Sequence, residues 1–406
     1  MKVETIRWDT ALIENWLLEL LWAIARFFIH PLFYLFLLMT HAYGSIRIKR
    51  ERKSFHIRIQ DTYDEMKFTY TKGLVVGCIA SLILFGIGLS LPFGTFVLLA
   101  IVTAVLAITF QLRLLSAVYS IGLTLLATVI LTNGQMAGIA EFFVGLPNTS
   151  YASLSILLGI LVIAEGVLIY RSGHKHTSPY LKISTRGLPI GTHVANRTWM
   201  LPLLFLVPGG ELTSTLPWWP VLTLNGEPFL LMFIPFFIGF HQRIQGSLPQ
   251  ESIKVTGKRV IWLGVLTLAV AVVSIWLPIV AFIAVIIAVV GREIITIRQR
   301  MNDNSAAFYF SKRDQGLMIL GILPQSPAER MKLQVGEMIV KVNGQAVKTV
   351  DEFYESLQKN GAMCKLDVIG INGEIRFTQR TLYDGEHHEL GILFVQDDKK
   401  WETEAV

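Results

Sequence analysis

Long apolar stretches separated by short polar loops fill most of the chain before residue 291. A helix needs roughly 20 apolar residues to cross the hydrocarbon core of a bilayer. Apolar stretches of about this length lie at residues 73–91, 93–110, 114–132, 153–170, 260–277 and 279–291, and the shorter ones can extend into flanking residues. The pattern predicts a multi-span helical membrane domain over residues 73–291.

One part of this domain has an interrupted pattern. Residues 199–207 and 218–224 are apolar and aromatic, and they flank Pro208, Gly209 and Gly210. The passage is either a broken helix or a span followed by an external, aromatic-rich loop. In both interpretations residues 229–240 complete the return across the membrane.

The N-terminal segment, residues 1–45, is apolar but carries Glu19, Arg26 and Pro31. Because proline removes a backbone donor, it bends a helix. The segment is either one kinked span or an interfacial helix followed by a shorter insertion. Glu19 and Arg26 are functional candidates if they lie at membrane depth, and ordinary interfacial charges if they lie near the headgroups.

Basic residues are concentrated in alternate loops, at residues 46–72, 171–197 and 241–259. An excess of Lys and Arg marks the cytoplasmic side, and the first of these loops could also bind anionic membrane lipid. Arg292, Arg298 and Arg300 open a linker at residues 292–310, with Arg292 expected to reach the surface. The region after the linker is therefore expected in the cytoplasm.

Gly73, Gly77 and Ser81 are spaced four residues apart in the first predicted span of the membrane domain. This spacing places small residues on one helix face, where another helix can approach closely. We expect the contact to be within the same chain.

The C-terminal region has the pattern of a small α+β domain, expected over residues 311–398 with a tail at 399–406. An apolar run entered through Gly316 is followed by Ser326-Pro327, a typical start of a short helix. A strand then ends in the tight turn Asn343-Gly344, and an amphipathic helix follows at residues 349–358.

In order and spacing, these elements resemble the bacterial PDZ family. The resemblance implies that a peptide strand binds by edge pairing between the strand at 316–323 and the helix at 349–358, with glycine N–H groups capping its carboxylate. Met318 departs from the Gly-Leu-Gly-Phe pattern of the family. The candidate peptide-binding residues are Gly316, Leu317, Met318, Ile319, Tyr354 and Gln358.

The composition fits this fold class, a polytopic α-helical membrane protein with a C-terminal soluble α+β PDZ domain. Hydrophobic residues make up 52% of the 406 residues and charged residues 16%. This excludes a soluble globule. The two cysteines, Cys78 and Cys364, indicate neither a disulfide framework nor a metal site.

Motifs for catalysis or cofactor binding are absent from the sequence. It contains no His-Glu-x-x-His pair, no Gly-x-Ser-x-Gly turn and no phosphate-binding glycine loop. The basic residues do not gather with interleaved aromatics, as nucleic-acid binding would favour. We therefore expect no enzyme activity, no catalytic or metal-binding residues, no cofactor and no nucleic-acid partner.

A transporter, or a regulatory subunit of one, is the alternative function. Glu141, Glu165 and the break at Pro208 are features that substrate pathways use. Polar residues are few, however, and no corresponding pair of interrupted segments occurs in two halves of the chain.

Across nearly its whole length the chain resembles the MinJ family of Min-system topology factors from Gram-positive bacilli. The resemblance is carried by residues 28–34, the basic run at 49–58, the polytopic middle and the PDZ region. It implies a multi-pass cell-membrane adaptor of division-site selection at septa and poles. Such an adaptor would link the division inhibitor MinD, with MinC, to the scaffold protein DivIVA, and other membrane division proteins are possible partners.

Overall fold

The structure, a computed structural model, describes residues 10–133, 138, 141–184, 186–213, 219–220, 228–360, 363–382 and 390–395. The tail at 399–406 and most of the segment at 218–224 lie outside these residues. The helices of the membrane part are α1 (Thr10–Ile29), α2 (Pro31–Phe55), α3 (Thr62–Gly86), α4 (Phe93–Ile108), α5 (Ala117–Asn133), α6 (Tyr151–Leu168), α7 (Pro249–Val273) and α8 (Val280–Ser305).

Four of the described helices are long and apolar enough to cross a membrane, and the number rises to five if α1 and α2 form one span. α1 and α2 meet at a bend of 46°. Pro31 begins α2, where its missing N–H costs little, and the His30 ring nitrogen accepts a hydrogen bond from the Leu32 N–H at 3.2 Å. The predicted fold class, a polytopic membrane protein with a C-terminal PDZ domain, is confirmed.

The basic segment at residues 46–72, expected to be a loop, is mostly helical. α2 continues through it to Phe55, and α3 begins at Thr62. Lys, Arg and Glu are good helix formers, so a charged composition does not distinguish a loop from a helix.

The prediction of helices at residues 199–207 and 229–240 was wrong. These residues lie in two long antiparallel strands, β2 (Pro189–Leu212) and β3 (Phe229–Ile244), paired from His193 opposite Ile244 to Pro208 opposite Phe229. Continuous apolar runs do not distinguish buried strands from helices. Pro202 and Pro235, which face each other in the pair, would each break a helix.

Two short strands extend the sheet at the end of the hairpin that carries Pro189 and Ile244. β1 (Ser178–Ile183) and β4 (Phe310–Ser311) both pair with β2. The sheet therefore links the membrane part to the chain that leads into the C-terminal domain.

The small-residue face of α3 packs along β2. A Cβ at Gly73 would lie 2.4 Å from the Met200 carbonyl oxygen, so only glycine permits this approach. Farther along the helix, the Ser81 hydroxyl donates to the Pro202 carbonyl at 2.7 Å and accepts from the Leu204 N–H at 3.0 Å. The contact lies within the chain, as expected, but its partner is a strand.

The opposite edge of the hairpin is covered by α1. Arg26 donates to the Leu231 carbonyl of β3 at 2.8 Å and pairs with Glu19 at 2.5 Å. These two charges in the N-terminal segment therefore have a structural explanation.

Glu165 and Arg292 form a buried ion pair between α6 and α8. They are 0% and 4% exposed, and the Arg292 Nη2 to Glu165 Oε1 distance is 2.9 Å. The Ser116 hydroxyl and the Ala117 N–H also donate to this carboxylate, at 2.6 and 3.1 Å. The expectation that Arg292 reaches the surface was wrong, because Glu165 provides a buried partner.

A second charged network joins α2, α3 and the sheet. Arg47 pairs with Glu51 at 3.4 Å and with Glu65, while Arg197 of β2 pairs with Glu65 at 2.5 Å. The Ser178 hydroxyl of β1 donates to Glu51 at 2.9 Å. Every charge in this network has a partner within the chain.

Substitution of Gly73 tests the packing of α3 on β2. We expect Gly73→Ala to lower stability by about 1–3 kcal/mol, because the added methyl group would overlap the backbone of Met200. Thermal unfolding in detergent measures this change. Gly86→Ala in the same helix is the control, since a Cβ there meets no atom of the described residues within 4 Å and alanine favours helix. Equal stability of the two variants would contradict the packing.

Candidate peptide-binding surface

The C-terminal domain is a sheet of short strands with two helices. Its elements are β5 (Leu317–Ile322), α9 (Pro327–Arg330), β6 (Met338–Val342), β7 (Gln345–Ala346), α10 (Val350–Gln358), β8 (Met363–Ile369), β9 (Ile375–Thr381) and β10 (Ile392–Phe394). The strand order is β10-β5-β6-β8-β9, and β7 pairs with β6.

Local sequence signals fix the two helices and a turn as predicted. The Ser326 side chain caps α9, which starts at Pro327. Thr349 and Glu352 form a reciprocal capping box at the start of α10. Asn343 and Gly344 adopt positive φ angles of 49° and 84° in the tight turn after β6.

β5, the strand expected to receive a peptide, lies inside the sheet. Leu317 pairs with Ile339 of β6 on one side, and Ile319 pairs with Phe394 of β10 on the other. Leu317 and Ile319 are 7% and 0% exposed in the domain core. A strand that has neighbours on both sides has no open edge for a peptide, so the structure places these residues in the core beside the groove.

The remaining residues of the predicted strand face elsewhere. Met318 packs with Leu248 and Phe310, outside the domain core. Gly316 precedes β5, and a Cβ there would lie 2.3 Å from the Ile339 carbonyl oxygen. Close packing against β6 therefore explains why residue 316 is a glycine.

Tyr354 and Gln358 lie on α10 as expected. Tyr354 is half-buried, and its ring centroid lies 5.2 Å from that of Phe353. Gln358 is exposed at the end of the helix. Both lie along α10, the helix expected to form one wall of the peptide groove.

β10 is the edge strand next to α10. Among the described residues its only strand partner is β5. The Leu323 N–H donates to the Gly391 carbonyl at 2.8 Å, and Leu393 is paired with Gly321. Since hydrogen bonds alternate along antiparallel strands, the backbone groups of Ile392 point to the open edge.

The floor of this open edge is apolar. The ring centroids of Phe394 on β10 and Phe353 on α10 are 5.2 Å apart. Gly391, at φ 76°, leads the chain into the strand. Sequence reasoning did not assign peptide binding to this strand. The signal was present, because Leu390-Gly391-Ile392 is also an apolar run entered through a glycine.

The C-terminal domain is docked on the sheet of the membrane part. Leu320 of β5 packs with Phe310 and Leu248, and a Cβ at Gly191 would lie 2.4 Å from Leu320 Cδ1. Beside this contact lies a cleft of about 1170 Å³, which includes His193 in its lining.

His193 is buried at this docking contact. It is 1% exposed, its Nδ1 lies 3.0 Å from the Thr177 hydroxyl, and its ring packs on Phe310 at 4.9 Å. Burial lowers the pKa of His193 to about 4, an effect that the Leu320 carbonyl partly offsets. His193 is therefore neutral near pH 7.

Within the described ranges, no group of three or more His, Cys, Asp or Glu side chains could hold a metal ion. Cys364 is buried, and this burial raises the pKa of its thiol to about 12. The thiol therefore stays protonated and is a poor nucleophile.

Comparison with known proteins gives a match to a domain family and matches to two relatives over most of the chain. The PDZ domain family matches residues 318–369. The chain is 52% identical over 396 residues, 97% of its length and 98% of the relative's, to the "Cell division topological determinant MinJ" of Bacillus subtilis (strain 168). It is 25% identical over 377 residues, 90% of its length and 95% of the relative's, to the "Probable cell division topological determinant MinJ" of Lacticaseibacillus paracasei.

The burial of His193 predicts a pH-dependent docking contact. The neutral form is favoured in the docked state, so stability is full above the ordinary pKa of 6.5 and falls as the pH drops towards about 4. We expect amide hydrogen exchange in β4 and β5 to increase between pH 7 and pH 5, after correction for the intrinsic exchange rate.

Two histidine variants, one test and one control, assign this effect to His193. His193→Phe should remove most of the pH dependence, whereas His56→Gln, at an exposed histidine at the end of α2, should retain it. The same pH dependence in His193→Phe would show that another group controls docking.

Proposed function

The chain belongs to the MinJ family of cell division topological determinants, and from this premise we propose that it is a membrane adaptor of division-site selection. It links MinD, and with it MinC, to the scaffold protein DivIVA at septa and cell poles. The observation that carries the proposal is the 52% identity over 97% of the chain. The membrane helices anchor the adaptor, and its C-terminal domain lies in the cytoplasm.

The open edge of β10 is the proposed site of peptide binding. A partner segment adds there as a new strand, and the outward backbone groups of Ile392 give it hydrogen bonds. α10 forms the second wall, with Tyr354 half-buried and Gln358 exposed along it. Phe353 and Phe394 lie buried beneath this groove, at 0% and 2% exposed, and hold β10 against α10.

The residues first expected to bind the peptide keep two roles in this proposal. Tyr354 and Gln358 contact the partner directly. Leu317 and Ile319 support the groove from the core, since Ile319 pairs with Phe394. A charged substitution at Leu317 would therefore act through unfolding of the domain.

The alternative function, transport or regulation of a transporter, has less support. A substrate pathway needs polar groups that reach a water-filled cavity. Glu165 is 0% exposed, and its carboxylate is engaged by Arg292, Ser116 and the Ala117 N–H. This carboxylate is better explained as a link between helices.

Cellular position tests the adaptor proposal. A fluorescent fusion of the full chain is expected to accumulate at septa and poles, because DivIVA recruits it there, and to disperse when DivIVA is removed. Fluorescence microscopy of dividing cells of both strains measures this. A uniform membrane signal in both strains would overturn the Min-system assignment.

A proline substitution tests the groove. Ile392→Pro removes the backbone N–H that points to the open edge of β10, and we expect recruitment of one partner, MinD or DivIVA, to fall at least tenfold. Co-purification from membranes measures both partners. The variant should still insert into the membrane, and its thermal stability should fall no further than that of the control variant described next.

The opposite edge of the same sheet supplies that control. Ile375→Pro is the same substitution in β9, where the Gly370 N–H to Glu374 carbonyl bond, 2.8 Å, leaves the Ile375 N–H pointing outward. It should leave recruitment unchanged. Normal recruitment of both partners by a folded Ile392→Pro protein would falsify the groove.

A further inference from the structure

Two arginines share one tyrosine ring where α2, β1 and β3 meet. The Arg50 and Arg243 Cζ atoms lie 5.5 and 5.9 Å from the centroid of the Tyr180 ring. We call Arg50 and Arg243 the Tyr180 arginine pair. An aromatic face attracts one cation, but two like charges at this separation repel each other. The arrangement therefore favours a nearby anion.

Within the described part of the chain, neither arginine of the pair has a carboxylate partner in an ion pair. Glu51 follows Arg50 in sequence, but its carboxylate is already engaged by Arg47, the Ser178 hydroxyl and the Ile59 N–H. The nearby acid is thus committed to the network that joins α2 to β1.

Several donors of the pair are also unsatisfied. Arg50 Nε and Nη2 and Arg243 Nε are buried and have no hydrogen-bond partner among the residues that the structure describes. Arg243 Nη2 makes a long bond of 3.3 Å to the Gln245 side chain, a neutral acceptor. Buried guanidinium nitrogens without acceptors are costly, and an anion beside them would offset this cost.

More positive charge reaches the same place. Burial, followed by the charges of Arg300, Arg50 and Arg243, holds the pKa of His241 below its ordinary value. Arg300 is exposed near the end of α8. Gln299, which precedes Arg300 in α8, donates its side-chain N–H to the Arg243 carbonyl at 3.3 Å, so arginines from three elements lie in one region.

The position of the pair relates this charge to the membrane surface. α2 carries Arg50 near its C-terminal end, and α8, which carries Arg300, is long and apolar enough to span the membrane. Basic pockets of this kind between helices, on the cytoplasmic side, are suited to anionic headgroups. The planar forks of two arginines match phosphate oxygens in particular.

We propose that the Tyr180 arginine pair, with Arg300, is a binding site for a phosphate group, which either the headgroup of an anionic phospholipid or free phosphate can supply. The site is separate from the groove of β10 and does not depend on the proposed adaptor function. It would hold the cytoplasmic ends of α2 and β3 together when occupied.

Titration of the purified full chain in neutral detergent tests this site. The probes are dihexanoyl phosphatidylglycerol below its micelle concentration, the matching phosphatidylcholine, and inorganic phosphate. Isothermal titration calorimetry gives the affinity, and tryptophan-detected unfolding gives the change in Tm. We expect phosphatidylglycerol or inorganic phosphate, but not phosphatidylcholine, to bind and to raise Tm.

Variants assign the binding to the arginine pair. Arg50→Gln/Arg243→Gln should weaken binding about thirtyfold, as expected for two lost charges at roughly 1 kcal/mol each. Arg50→Lys/Arg243→Lys keeps the charge but loses the planar forks, so it should fold and show a smaller loss. Lys258→Gln is the matched control, because Lys258 also lies over a tyrosine, Tyr170 at 5.8 Å, and no second cation of the described residues lies over that ring.

The choice of ligands distinguishes the two sources of the phosphate group, a lipid headgroup and free phosphate. Binding of phosphatidylglycerol alone supports a lipid headgroup, and equal binding of inorganic phosphate supports a free anion. Binding of neither would overturn the site. An unchanged affinity in both double variants, or an equal loss in Lys258→Gln, would also overturn it.

Discussion

The hairpin of β2 and β3 imposes the constraint that organises the membrane part. A two-stranded sheet has two open edges, and each unsatisfied backbone group in hydrocarbon costs several kcal/mol. α3 closes one edge through Gly73 and the Ser81 hydroxyl. α1 covers the other, where Arg26 donates to the Leu231 carbonyl. Small and charged residues within apolar helices thus follow from the presence of strands between them.

A similar cost of burial explains why the charges of Glu165 and Arg197 are structural. Glu165 joins α6 to α8 and to the start of α5, and Arg197 joins β2 to α3. A buried charge without a partner is strongly destabilising, so each of these carboxylates and guanidinium groups fixes the position of several elements. The result is a scaffold with defined geometry at the end of the sheet where the C-terminal domain docks.

The sequence predicted the features that depend on local patterns. The length of the apolar stretches predicted the helices. Thr349 and Glu352 predicted the helix cap, and Asn343 and Gly344 predicted the turn. It did not predict the strands of the hairpin, because an apolar run buried on both faces has no period, although Pro202 and Pro235 were signals against helix. The groove was assigned to β5 because the pairing of β10 with β5 joins residues some 70 positions apart, as with Ile392 and Ile322, and no local pattern encodes it.

The alternation of side chains along β5 connects the groove to the membrane part. Ile319 points into the domain core, whereas Met318 and Leu320 point to the docking contact with Phe310. Because the two sets lie on opposite faces of one strand, β5 is packed on both faces as well as paired on both edges. β10 is hydrogen-bonded directly to this fixed strand. A partner segment added at β10 would therefore extend a sheet whose orientation relative to the membrane is already set by β5, which places the partner beside the membrane surface without a flexible tether.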